Sequence, residues 1–212
     1  MNDTRGKLID AAVETLRVRG IAGISARTIA ATAGVNQALV FYHFGTVAGL
    51  VDAACRESTA ARVALYRDRL GAVGSLHDLL ILGRELNAAE REAGNVAILA
   101  QVLAGAQQDP VLAATARDSL RLWVAEIEAV LARVLAGSPV GELADAASLA
   151  PAVAAAFIGI ELYEGVDASA AAAGLDALEN LSVLAEVLED LGSVGRRALR
   201  TRIRRARAGS GN

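Results

Sequence analysis

Apolar positions along this chain recur at three- and four-residue spacing far more often than they alternate, so the elements they predict are helices. Leu8, Ile9, Ala12, Val13 and Leu16 form one stripe, which predicts a first helix over 5–19 stopped at Gly20. Ser25 stands as an N-cap before the short segment ARTIAATA, which Gly34 closes. Asn36 caps a third helix ending near Phe44 with Gly45 behind it, and Thr46 caps a long fourth helix reaching about Leu70. Ser75 to Asp78 resembles a capping box with Asp in the Glu place, ahead of a helix to about Ala93. A helix over 95–107 follows, and Asp109-Pro110 opens a long one to about Ala136, because proline suits the first helical position. A loop is expected over 137–145. Two further helices, near 148–164 and 175–191, are expected to be separated by the small-residue linker GVDASAAAAG. The predicted fold class is all-α.

Composition sharpens this picture. The chain is 54% hydrophobic but only 3% aromatic, so a core of small side chains must rely on close helix packing. Cys55 is alone, which excludes an intrachain disulfide and fits a reducing cytoplasm. Asp3, Arg5, Lys7 and Asp10 interrupt any apolar run at the start, so no signal peptide is expected. The longest charge-free apolar run, Ala146 to Ile160, is 15 residues, against the about 20 a bilayer span needs. It reads as a buried helix of a soluble protein without a membrane partner.

Charge is divided along the chain. Residues 1–50 hold five Lys/Arg against three acids, residues 51–195 hold nine against 21, and residues 196–212 hold seven arginines and no acid. Local charge decides contacts, so a pI near 5.5 does not exclude nucleic acid at either basic end.

Three of the seven aromatics fall within Phe41-Tyr42-His43-Phe44. Val40 and Phe44, four apart, share one face and are expected to pack on Ile29 and Leu16. Successive positions turn by about 100° around a helix, so Tyr42 and His43 must point elsewhere. A buried aromatic cluster is the bland alternative; a surface offering donors to phosphate oxygens accounts for them better. Three helices in 45 residues, the last two joined at Gly34-Val35, have the form of a helix-turn-helix.

The stretch GISARTIAATAGVNQALVFYHFGTVAGLV, with the apolar first helix before it, resembles the DNA-binding domain of the TetR (tetracycline-repressor) family of bacterial regulators. Ile29-Ala30, Ala33-Gly34-Val35, Tyr42-His43-Phe44-Gly45 and Leu50 carry the resemblance, over residues 5 to about 52. It implies that Ser25 caps the second helix and sets its N-terminus against a phosphate, and that Arg27 and Thr28 reach phosphate or a base edge. Asn36 and Gln37 would open the recognition helix, Gln37 reading adenine through its amide and Ala38 meeting a thymine methyl. Tyr42, His43 and Thr46 would take phosphates, although Thr46 also reads as a plain helix cap. The sequence departs from the family at Val47, where a phosphate-gripping lysine is common, at Phe41, where a second tyrosine is common, and at Leu39, where a small polar residue is usual.

By the same resemblance, residues 1–46 form a DNA-binding domain, 47–195 a helical effector-binding and dimerisation domain, and 196–212 a basic, flexible tail. The apolar run Ala152 to Ile160 and the series Leu175, Leu178, Leu181, Leu184, Leu188, Leu191 point to a homodimer. Tyr66, Gln101, Trp123 and Phe157 stand out in Ala- and Leu-rich helices as candidates for a small, largely apolar effector, though Trp123 also reads as core and Gln101 as a solvent-facing residue. Two histidines and one cysteine cannot build a usual metal site, and no phosphate loop or nucleophile elbow exists, so neither cofactor nor enzymatic activity is expected. The leading expectation is a cytoplasmic, ligand-responsive regulator, a repressor on palindromic operator DNA. The alternatives are a helical enzyme or small-molecule carrier and an adaptor with an inactive reader.

Overall fold

The computed structural model describes residues 2–136, 138, 141, 145–189 and 201, without the side chains of 2, 3 and 184–189. Most of the expected 137–145 loop, the arginine tail, and Leu184, Leu188 and Leu191 of the leucine series therefore lie outside the described residues or side chains. Among the described residues the regular elements are all helical: α1 Asn2–Arg19, a 3-10 turn Ile21–Gly23, α2 Ala26–Ala33, α3 Ala38–Phe44, α4 Val47–Ala72, α5 Leu76–Glu92, α6 Asn95–Ala106, α7 Pro110–Val134, α8 Ala146–Glu164 and α9 Ala168–Glu189.

The described residues divide into two compact units, and the division cuts α4, α5 and α7 rather than falling in a loop. One unit runs to Leu65 and includes Ala88–Leu122; the other takes Tyr66–Asn87 and the described residues from Trp123 onward. The first unit has two apolar clusters. Leu8, Ile29, Val40 and Leu50, all fully buried, lock α1 to α4 together with Phe44 at their edge. Leu16 was expected there but packs instead with Val51, Cys55, Val102 and Leu112. It lies two turns beyond Leu8 on α1, where it meets α4, α6 and α7. In the second unit Tyr66, Leu79, Leu82, Val130, Leu131 and Ala150 form the core.

Three sequence expectations are corrected in the second unit. The linker GVDASAAAAG shrinks to Gly165–Asp167, because Asp167 Oδ1 accepts the Ala170 N–H (2.9 Å) and the alanines that follow are strong helix formers. The run 146–160 is not a buried helix within its own chain. Only Ala150 and Ala154 of α8 are buried, and at 19 residues the helix is long and apolar enough to cross a membrane by length and composition. The capping box at Ser75 is also altered: Ser75 Oγ accepts the Asp78 N–H (3.0 Å), but the Asp78 carboxylate takes the N–H of Gly74 (3.2 Å) instead of that of Ser75.

Candidate nucleic-acid interface

α2 begins where the sequence placed it. Ser25 Oγ accepts the Thr28 N–H (3.1 Å), and the Ser25 N–H donates to Thr28 Oγ1 (2.9 Å), a reciprocal box. The Thr28 hydroxyl also reaches Gly23 O (2.8 Å), so it is engaged within the chain and holds the 3-10 turn against α2. Arg27 beside it is exposed. At the far end Gly34 adopts φ 67°, ψ 33°, and the N–H of Val35 closes back on Ala30 O (3.0 Å). That left-handed residue turns the chain sharply enough for α3 to start four residues later, which is why glycine sits there.

α3 is opened by Asn36. Its Oδ1 accepts the Ala38 N–H (2.9 Å), and its carbonyl accepts that of Leu39 (3.0 Å), while the Gln37 side chain makes no cap bond. Gln37 is thereby left exposed at the first turn, next to exposed Ala38. One turn on, Phe41 is 49% and Tyr42 75% exposed, on the same arc of the helix. Val40 faces the opposite way into the core. His43 is half-buried, edge-on to the Tyr42 ring with centroids 5.0 Å apart. Thr46 is exposed, and its Oγ1 accepts the Gly49 N–H (2.9 Å), so it is the cap of α4. Gln37, Ala38, Phe41 and Tyr42 form one continuous surface.

Sequence reasoning did not single out two residues at this surface. Phe41 read as a lost hydroxyl, yet its exposed ring extends the face of Gln37. Arg5, on α1, lies with its guanidinium carbon 5.4 Å from the Phe44 ring centroid. Its Nη1 and Nη2 donate to the two carboxylate oxygens of Glu57 on α4 (3.1 and 2.5 Å). That hydrogen bonding, then the charge of Arg5 and Arg56, holds the Glu57 carboxyl below its ordinary range against slight desolvation. A separation of 52 residues hides the pair from any local pattern.

The effector candidates do not come together as a set. Tyr66, Trp123 and Phe157 belong to the second unit, where Tyr66 and Trp123 pack with ring centroids 6.1 Å apart. Phe157 lies so close to Gly83 that a Cβ there would meet its ring at 2.1 Å. Gln101 is in the first unit, and its Oε1 accepts the N–H of Ile21 (2.8 Å), tying α6 to the 3-10 turn before α2. An open groove of about 280 Å³ in the second unit is lined by Arg69, Val73, Ile81 and Leu82 among others, none of them sequence candidates. Asn87, buried, donates to Glu164 Oε2 (2.8 Å) in that unit, a polar pair the sequence did not reveal. No group of three or more His, Cys, Asp or Glu side chains able to hold a metal occurs among the described residues.

Residues 8–54 match the profile of the bacterial regulatory proteins, tetR family. This segment is a TetR-type N-terminal domain. No curated protein matches the chain. Among solved structures, one described as a TetR-family transcriptional regulator from Rhodococcus sp. is 23% identical, with 86% of this chain and 100% of that one covered at a TM-score of 0.68. The Bacillus subtilis transcriptional regulator FadR, in complex with stearoyl-CoA, is 15% identical over 84% of this chain and 97% of its own, with a TM-score of 0.69. The multidrug binding protein EbrR, complexed with proflavin, is 25% identical over 86% and 99%, with a TM-score of 0.58. The TetR-type fold thus extends over the described helices beyond the matched segment.

Proposed function

We propose that this TetR-family regulator is a repressor that binds palindromic operator DNA as a dimer and is released by a small-molecule effector. The observation that carries the reading is the exposed face of α3, where Gln37, Ala38, Phe41 and Tyr42 stand clear of a helix whose other side is locked by Val40. A helix of this size presented from a tight turn fits a major groove, with its N-terminal residues at the base edges. Gln37 reads a base, Ala38 meets a methyl group, and the N-terminus of α2 with Ser25 and Arg27 faces a phosphate. Tyr42, His43 and Thr46 take phosphates at the other end, and Thr28 positions α2 through its hydroxyl. In this reading residues 1–46 read DNA and the helices from 47 onward bind the effector and the second subunit.

Dimerisation is assigned to α8 and α9. Leu162, Tyr163 and Leu181 are exposed on them and Val166 between them, and α8 buries little within its own chain. A second copy covering this surface removes more apolar area from water than the single chain can. The effector is assigned to the second unit near Tyr66, Trp123 and Phe157; stearoyl-CoA and proflavin in two structural relatives support an apolar ligand in this fold. Gln101 acts within the first unit, as the contact between α6 and the chain entering α2.

Selection from a random pool of duplexes tests the reading. The full chain is expected to recover an inverted repeat, with log affinity falling linearly with log salt. Gln37→Ala should flatten one position in each half-site, and Tyr42→Phe should weaken all duplexes alike. Recovery of no common sequence by the wild-type chain would instead favour the second reading, a ligand-binding protein with a degenerate reader. That alternative draws on one observation, the absence of Lys and Arg from residues 28–55.

A further inference from the structure

Residues 28–55 hold all of α3 and the first turns of α4, without one cation. The C-terminal end of α3 is also the unfavourable end for a phosphate, because the free carbonyls of a helix C-terminus carry the negative pole of its dipole. Tyr42, His43 and Thr46, assigned above to phosphates, all lie at that end. A duplex carries one negative charge per ~1.7 Å of its axis, and hydrogen bonds from neutral groups alone release no counterions. The positive charge for this part of the interface must therefore come from elsewhere in the chain.

α1 supplies it. The Arg5 guanidinium lies against the Phe44 ring, in the last turn of α3, and the Phe44 ring in turn is 6.2 Å from that of His43. The side chain is 44% exposed. Glu57 receives one hydrogen from each terminal nitrogen, which leaves the remaining N–H groups of the guanidinium for another acceptor. An exposed ion pair of this kind contributes little to stability, but the two-pronged bond and the ring hold a long side chain in one place. The entropy of ordering it is then not charged to DNA binding.

We infer that Arg5 is a phosphate-binding residue of the DNA interface, held over the end of the recognition helix by Glu57 and the Phe44 ring. The inference rests on the reading of α3 as the recognition helix. Glu57 both positions the arginine and, by its own charge, opposes the phosphate; the two effects give different signs when each residue is changed.

The test uses the full chain and a fluorescein-labelled duplex that the wild type selects, with anisotropy titrations from about 50 to 200 mM salt. Arg5→Gln is expected to weaken binding by about tenfold and to lower the salt slope by about 0.9 per subunit. Arg5→Lys keeps a point charge and should keep the slope. Glu57→Gln leaves an amide oxygen to accept from Arg5 and removes the opposing charge, so it should tighten binding with the slope kept. An unchanged slope in Arg5→Gln overturns the inference, whatever happens to affinity. So does a Glu57→Gln variant that weakens binding as much as Arg5→Gln, because Arg5 would then be only a strut between α1 and α4. A wild-type chain that binds duplexes without salt dependence defeats the reading of α3 itself, a result distinct from either.

Discussion

Cys55 shows how one residue's chemistry is set by its neighbours. It is buried, and desolvation pushes its thiol up to about 11, with the Asp52 charge adding to the effect and Arg62 opposing it. The thiolate is the reactive form, so a thiol reagent at neutral pH should modify the native chain only at the rate at which it opens. The same shift makes stability depend on pH. Above an unfolded value near 9 the unfolded chain releases this proton while the folded chain keeps it, so stability falls as pH rises from 9 through about 11. Urea titrations should show wild-type stability falling more steeply over this range than that of Cys55→Ala, by on the order of 2 kcal/mol in total. Parallel curves would mean that the thiol is not desolvated. The identity of Cys55 as a packed residue was legible from its Ala-rich helix. The size of the effect was not, because it depends on Asp52, one turn away, and on helices far along the chain.

At the scale of the element, the α2–turn–α3 unit is specified locally at both ends, and its two devices fail differently. Ser25→Ala removes the side-chain half of the box, the bond from the Thr28 N–H to Ser25 Oγ, and keeps the backbone half, at a cost of about 1 kcal/mol. Gly34→Ala puts a side chain at φ 67°, where a Cβ would meet nothing within 4 Å, so its cost of roughly 1–2 kcal/mol is purely backbone strain. Both should lower the urea midpoint with an unchanged slope; a Gly34→Ala chain as stable as the wild type would show that the turn relaxes into another conformation. This unit was read from the sequence almost to the residue, since caps and glycines act within four positions. The start of α9 was not. The alanines of GVDASAAAAG carry neither a stripe nor a stop, and Asp167, the cap that decides the boundary, looks from the sequence like any loop acid.

For the whole molecule, the proposed dimer sets the exposed apolar residues of α8 and α9 against a second copy. Leu181, 61% exposed, is a direct probe of it. Leu181→Arg should shift the chain from dimer to monomer at micromolar concentration in sedimentation, and should weaken operator binding with it, because two half-sites need two linked readers. A wild-type chain that sediments as a monomer would remove the dimer from the proposal. The sequence by itself determined the all-helical class, the caps at Ser25, Asn36 and Thr46, the small core around Ile29 and Val40, and the outward turn of Tyr42. Those properties follow from periodicity and from contacts a few residues apart. Only the tertiary structure decided that Arg5 joins Glu57 at the end of α3, that Gln101 serves the turn before α2 rather than the aromatic pair of Tyr66 and Trp123, and that α8 buries only Ala150 and Ala154 in its own chain. Each depends on which helices meet across tens of residues, and a helix's own sequence shows which face is apolar but not what lies against it.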